Sequence, residues 1–224
     1  MHFKEDLFII RHARSEANIG KTDDLNSGLS DWGKVQAKTV GRFLATELDL
    51  TQHSWYVSPF LRCLQTAYDI WEAHRAIREH YLSIQVMPQL REYLNHSGPD
   101  GVHVDRKKEP HGMFNWSYFP EKGEHYHPEF NEHFLHRMHE AYSLLPNKSV
   151  VITHGLPAIT LARIATDNIR DVPMWDYSLD NASVTWIRRG RTIWWGKNMY
   201  HEIESWPKDH VYLKMLQSEI KPKA

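Results

Sequence analysis

Four cationic side chains stand just past short runs of apolar, β-branched residues. Arg11 and His12 follow Leu7–Ile10, Arg62 lies soon after Trp55–Val57, and His154 follows Ser149–Thr153. In open parallel sheets, ligands bind outside the carboxyl ends of the strands. If the three runs are such strands, these four groups share one crevice. Arginine forks match phosphate oxygens with paired, charge-assisted hydrogen bonds. So positive a pocket also keeps an imidazole neutral near pH 7, and neutral imidazole has a lone pair that can attack phosphorus. Glu92, after a further run ending near Met87, can bring a carboxyl group to the same edge. It could protonate a departing alkoxide and then deprotonate water. The arginines offset the charge on the equatorial oxygens, so no metal or other cofactor is assigned.

Each residue also has an ordinary reading. An Arg-His pair after a strand is commonly loop surface, Arg62 could be an exposed helical arginine, and His154 before Gly155 could cap a strand. Gln65 and Thr66 share the helical face of Arg62 and either orient it or pack. Cys63 is expected to be a small buried side chain. The chemical reading rests on conjunction, because all four cationic groups fall at strand ends of one polarity. His125, His127, His133, His136 and His139 form a second concentration of imidazole, with the last three on one helical face. Zinc is conceivable there, but no cysteine accompanies them, and Glu129 and Glu132 fit a solvated helix face.

The elements that would position the crevice are legible as alternating strands and helices. Ser30 is a plausible N-cap for a helix to about Leu48. Ser58 and Pro59 read as N-cap and first helical position of a helix to about His74. Ile84–Met87 reads as a strand. Pro128 is expected to open a helix to about Leu145, and Pro157 sits just inside another. Val184–Ile187 and Thr192–Trp195 flank Arg189-Gly190 as a hairpin. The alternation predicts an α/β fold: three layers, with a mostly parallel sheet covered by helices on both faces. Residues 95–127 resist this reading, being punctuated by Gly98, Pro99, Gly101, Pro110, Gly112, Pro120 and Gly123. A loop that long is usually functional or disordered. Phe114, Trp116, Tyr118 and Phe119 suggest that it folds down, either on its own aromatics or as a lid that selects substrates.

The chain has 224 residues and a formal charge of −1. That length fits a single domain, 1–224, able to bury about 70% of its unfolded surface. The charge balance excludes a strongly basic nucleic-acid binder, and Arg106-Lys107-Lys108 is only a short basic run. One cysteine excludes a disulfide scaffold. No stretch approaches the ~20 apolar residues of a membrane span, and Leu7–Ile10 is too short for a signal-peptide core. A soluble, cytoplasmic protein is expected.

The motifs together resemble the histidine phosphatase superfamily. Arg11-His12-Ala13-Arg14-Ser15-Glu16-Ala17-Asn18 resembles its Arg-His-Gly signature, and Leu29 to Ala37 resembles its Leu-Ser/Thr…Gly…Gln-Ala helix start. Ser58-Pro59 through Ala67 resembles its Ser-Pro…Arg…Gln-Thr-Ala segment, and Thr153-His154-Gly155 its second histidine. Asn181 to Thr185, with Asn198 and His201, resembles its C-terminal strand pair. The resemblance implies a phosphoglycerate mutase-like fold with an insertion after the third strand. It implies a phosphomonoester hydrolase with His12 as phosphorylated nucleophile and with Arg11, Asn18, Arg62 and His154 on the phosphoryl group. Glu92 matches the usual acid position, and Glu16 is the second choice. The partner implied is a small phosphorylated substrate. A mutase-like phosphotransferase and a non-catalytic phosphate-binding module are the alternatives. The segment around Glu92 lacks the Glu-Arg-His-Tyr-Gly pattern of phosphoglycerate mutases. Ala13 replaces the signature glycine, at a cost of about 1 kcal/mol or more if that backbone needs positive φ.

Overall fold

Strand β1 (Asp6–Arg11) carries four consecutive buried apolar residues, Leu7 to Ile10, as a strand covered on both faces requires. The computed structural model describes residues 3–78, 83–95, 101–106, 113–117, 119–120, 122–167 and 178–199. The other strands are β2 (Ser54–Val57), β3 (Ile84–Val86), β4 (Val102–Val104), β5 (Phe114–Asn115), β6 (Glu124–Tyr126), β7 (Lys148–Thr153), β8 (Val184–Arg188) and β9 (Arg191–Lys197). Seven of them form one sheet in the order β5-β3-β2-β7-β1-β8-β9. From β5 to β1 the pairing is parallel; β8 and β9 add an antiparallel edge.

Helices α1 (Asp31–Glu47) and α2 (Leu61–Arg75) cover one face, and α3 (Asn131–Leu144) and α4 (Gly155–Ala165) the other. Side-chain alternation along β1 divides the core. Phe8 and Ile10 join Val40, Leu44, Leu64 and Ile70 on the first face. Leu7 and Ile9 join Phe134, Met138, Leu161 and Ile164 on the second. The expected three-layer α/β architecture is the observed one. Helix α1 begins where its cap predicts, with the Ser30 hydroxyl accepting from the Gly33 N–H at 3.1 Å. Helices α1 and α2 approach so closely at Gly41 that a Cβ there would lie 2.3 Å from the Ile70 carbonyl oxygen.

Two helix starts differ from expectation. Helix α2 begins at Leu61, not at Pro59, and its N-cap position is Phe60. The Ser58 hydroxyl is drawn into a tertiary contact with His154 at 2.8 Å instead of capping. Helix α3 begins at Asn131, three residues beyond Pro128. The expected hairpin forms as β8 and β9, and Arg189 and Gly190 both take positive φ, the pattern of a twist-matched two-residue turn.

The 95–127 segment holds more regular structure than its punctuation suggests. β5 extends the main sheet beside β3, and β4 pairs antiparallel with β6. Val102, Val104, Phe114, Trp116, Phe119 and Tyr126 are buried in the first core cluster. Strands of two or three residues are too short to show a period, so the turn residues between them dominate the sequence pattern. Arg106 lies over the Trp116 ring, 5.6 Å from its centroid. Lys107, Lys108, Tyr118 and His201 lie outside the described residues. Among the described residues, no helix is long and apolar enough to cross a membrane.

Candidate active site

The parallel pairing of β1 with β7 sets Arg11 opposite Thr153. Both strands therefore end level, and His12 and His154 emerge side by side with ring centroids 5.3 Å apart. The His12 N–H extends the ladder to the Thr153 carbonyl oxygen at 2.8 Å. The His12 side chain is buried, and its Nδ1 lies 2.8 Å from the Ala13 carbonyl oxygen. A carbonyl only accepts, so this contact places the proton on Nδ1 and leaves the lone pair on Nε2. Arg62 Nε donates to that Nε2 at 3.2 Å. Burial, reinforced by the Arg62 and Arg11 guanidiniums, holds the His12 pKa well below the ordinary imidazole value.

Arg62 is the second residue of α2, at the positive end of the helix. It also donates from Nη1 to the Leu25 carbonyl oxygen and from Nη2 to His154 Nδ1, the latter at 3.0 Å. His154 is fully buried, and its Nε2 meets the Ser58 hydroxyl. With Nδ1 accepting from Arg62, the proton belongs on Nε2. Burial, then Arg62 and His12, lower the His154 pKa as well.

Glu92 closes the cluster. Its Oε2 lies 3.4 Å from His154 Nδ1 and 3.7 Å from Arg62 Nη2, with 26% of the side chain still exposed. Oε1 accepts from the Tyr93 N–H at 3.0 Å. Desolvation raises the Glu92 pKa against the opposing pull of Arg62. A protonated carboxyl fits an imidazole nitrogen that is itself accepting.

Arg11 is half-buried and donates from Nη1 to the Leu179 carbonyl oxygen. The Asn18 Oδ1 accepts from the Ser15 N–H at 3.1 Å and from Asn181 Nδ2 at 3.2 Å, which leaves the donor end of Asn18 for the crevice. Arg11, His12, Asn18, Arg62 and Glu92 line one crevice of about 340 Å³ together with Leu25, Tyr93, Leu94 and Asn95. His154 lies behind it, in contact with Arg62 and Glu92. A larger recess of about 700 Å³ runs along Tyr56, Gln85 and Asn115 and contains none of these residues. Glu16 is absent from the crevice lining and pairs with Lys21.

Three supporting residues escaped the sequence reading or were left undecided by it. Ser58 holds His154. Thr66 accepts from the Ala13 N–H at 3.0 Å and donates to the Arg62 carbonyl oxygen one turn earlier at 2.6 Å, tying the loop after β1 to helix α2. Asn181 donates to the His12 carbonyl oxygen at 3.1 Å across 169 residues. Gln65 accepts from the Leu29 N–H and does not touch Arg62 in this way. Cys63 is buried as expected, and burial pushes its thiol up to about 12. Among described residues, positive φ at non-glycine positions is confined to Asp167, Ala182 and Arg189. Ala13 therefore carries no left-handed strain, and its methyl group sits in the core.

His12, Glu92 and His154 each offer a ligand atom within 4.8 Å of one another. Two imidazoles and a carboxylate are zinc-type donors, but the Arg62 guanidinium touches both rings and opposes a cation there. Among the described residues, His125, His127, His133, His136 and His139 assemble no such group, and the last three are exposed on α3. Glu129 does not lie on a solvated face. It is buried and paired with Arg137 and Arg91.

A mostly parallel sheet with two strand-end histidines, two arginines and a carboxyl group defines a phosphate-handling α/β enzyme class. The chain belongs to the histidine phosphatase superfamily (branch 1), whose model matches residues 7–200. By that membership it is a phosphatase of the histidine type, with small phosphorylated compounds as the substrate class. No curated protein sequence matches the chain. Among solved structures, the ecdysone phosphate phosphatase from Bombix mori, in complex with tungstate, is similar with a TM-score of 0.60 at 16% identity, covering 86% of this chain and 93% of that one. A mycobacterial hydrolase gives 0.58 at 20% identity, covering 87% and 99%. A mycobacterial glucosyl-3-phosphoglycerate phosphatase complexed with VO3 gives 0.54 at 20% identity, covering 85% and 98%. At these identities the likeness is one of fold.

Proposed function

We propose that this protein hydrolyses phosphomonoesters through a phosphohistidine on His12. The observation that carries the reading is the state of His12: Nδ1 faces a carbonyl, and Nε2 holds its lone pair beside Arg62. In the first step His12 Nε2 attacks phosphorus, the P–O ester bond breaks, and Glu92 gives its proton to the departing oxygen. Arg11, Arg62 and Asn18 hold the phosphoryl oxygens, with His154 fixing the Arg62 guanidinium from behind, and charge spread over those oxygens meets preorganised donors. In the second step the Glu92 carboxylate takes a proton from water. The water oxygen bonds to phosphorus, the N–P bond breaks, and phosphate leaves with the lone pair restored to Nε2.

Hydrolysis is favoured over mutase chemistry by the crevice lining. Among its described residues the cations are Arg11, His12 when protonated, and Arg62, all on the phosphoryl side. Leu25, Tyr93, Leu94 and Asn95 remain for the leaving group. A bisphosphorylated acceptor would call for another cation there. A module that only binds phosphate has no use for an acid set opposite a neutral imidazole. Asn95, the first residue of the insertion, lines the crevice, which supports a role for residues 95–127 in substrate choice. Arg106 lies in a separate recess beside Trp116. The substrates named for the similar structures differ, and neither is carried over. A cytoplasmic setting goes with this reading, since the single cysteine, Cys63, is buried and offers no disulfide.

Rapid quench without acid, using a labelled phosphomonoester, tests the reading. Label should appear on the wild-type protein as an acid-labile, base-stable adduct, and His12→Ala should abolish both adduct and turnover. Wild-type turnover by His12→Ala would overturn the mechanism.

A further inference from the structure

Glu92 follows the single-turn 3-10 helix Pro88–Leu90, which has no ladder of its own to satisfy its carbonyls. Three consecutive carbonyl oxygens before Glu92 are each taken by a buried side chain. Arg137 Nη1 donates to Gln89 at 2.6 Å and to Arg91 at 3.1 Å, and Thr153 Oγ1 donates to Leu90 at 2.7 Å. Arg137 is itself held by Glu129: Nε donates to Oε2 at 3.1 Å, and Nη2 to Oε1. Both side chains are more than nine-tenths buried. On the far side of Glu92, the Glu129 N–H donates to the Leu94 carbonyl oxygen at 2.9 Å. Arg91 adds a contact to Glu129 Oε2 at 3.3 Å. The Arg137–Glu129 pair thus grips the chain immediately before and after the acid, while neither side chain lines the crevice.

We propose that Arg137, fastened by Glu129, is a positioning residue that aims the Glu92 carboxyl at the leaving-group oxygen. The proposal rests on the reading of Glu92 as general acid. A buried ion pair is weak evidence for stability, since well-packed apolar residues often replace one at no cost. What apolar residues cannot replace is the two-carbonyl clamp. A guanidinium has five donors in a rigid fork: here three of its nitrogens hold both Glu129 oxygens and two backbone carbonyls at once. A lysine ammonium, with three donors on one atom, cannot span that set.

The test measures kcat/KM for a leaving-group series running from p-nitrophenyl phosphate through phenyl phosphate to an alkyl phosphate. This parameter reports steps up to departure of the leaving group, so water activation does not enter it. An activated leaving group needs no proton; an alkoxide does. Glu92→Gln should lose about 100-fold or more on the alkyl phosphate and far less on p-nitrophenyl phosphate. Arg137→Lys should steepen the dependence in the same sense, by about tenfold to 100-fold across the series, the scale of a misplaced group. In a Glu92→Gln background, Arg137→Lys should add no further steepening. The double variant Arg137→Met/Glu129→Leu removes the clamp and both members of its ion pair, leaving Arg91, whose side chain is 20% exposed, to reach water, and it carries the test if the single variant does not fold. It should remain folded by its thermal transition and show the same steepening. Equal loss on every substrate, or no loss, in a folded Arg137 variant would overturn the positioning role while leaving Glu92 as the acid. A Glu92→Gln enzyme with wild-type leaving-group dependence would overturn the acid assignment itself, and the positioning role with it.

Discussion

His12 and Glu92 are shifted by the same cause, burial, in opposite directions. The first must be neutral to attack and the second protonated to donate. Lowering the His12 pKa extends activity toward acid, and raising the Glu92 pKa extends it toward neutrality. The kcat/KM profile for a poorly activated ester should therefore peak on the acid side of neutral and decline as pH rises through the Glu92 pKa. Glu92→Gln should remove that alkaline decline; its persistence would assign the limb to another group. Arg62 touches both imidazoles, so Arg62→Ala should lower kcat by about 10²–10³, as loss of a preorganised donor does. A loss under tenfold would remove Arg62 from the phosphoryl site. At this scale the sequence was informative because charge-bearing residues at strand ends are few. His12, Arg62, Glu92 and His154 come within contact of one another in the fold. What it could not disclose was Asn181 or Ser58, because their partners lie 169 and 96 residues away and no local pattern records a pairing at that range.

At the level of elements, legibility followed local determinacy. Helix α1 was readable because Ser30 caps it through its own neighbour, Gly33. Helix α2 forms as expected, but its start shifts two residues beyond Pro59 because the same residue type at Ser58 serves a distant histidine instead. The short strands β4, β5 and β6 were unreadable for lack of length. Helix α2 also carries a testable electrostatic feature. Asp69 faces α1, where Lys38 lies 3.8 Å away and divides its charge with Glu72 at 3.0 Å. Burial wins over Lys38, and the Asp69 pKa is raised to about 6. Because the folded value exceeds the unfolded one, ionisation destabilises the fold above about pH 6, and the effect vanishes below the unfolded value near 3.8. Asp69→Asn should raise stability at pH 8 by about 1–3 kcal/mol and change it little at pH 4. Denaturant unfolding at the two pH values measures the difference. A loss of stability at pH 8 would mean that the Lys38 contact outweighs desolvation.

On the scale of the whole molecule, protonating all 16 histidines would move the formal charge from −1 to +15, but only groups whose pKa differs between folded and unfolded chains affect stability. His12, His53 and His154 are lowered by burial. Below the ordinary imidazole value they take up protons on unfolding, which lowers stability as the pH falls. Glu92 and Asp69 are raised and release protons on unfolding, which opposes that fall. Removing one opposing acid should make the fall steeper. In Asp69→Asn the opposing release at Asp69 is lost, so the gain at pH 8 shrinks as the pH is lowered from about 6. Unfolding free energies of both proteins at half-unit steps from pH 7 to 4.5 decide the matter. Parallel curves would show that Asp69 does not titrate in the fold, and a wild-type stability that rises on acidification would show that the buried histidines do not govern it.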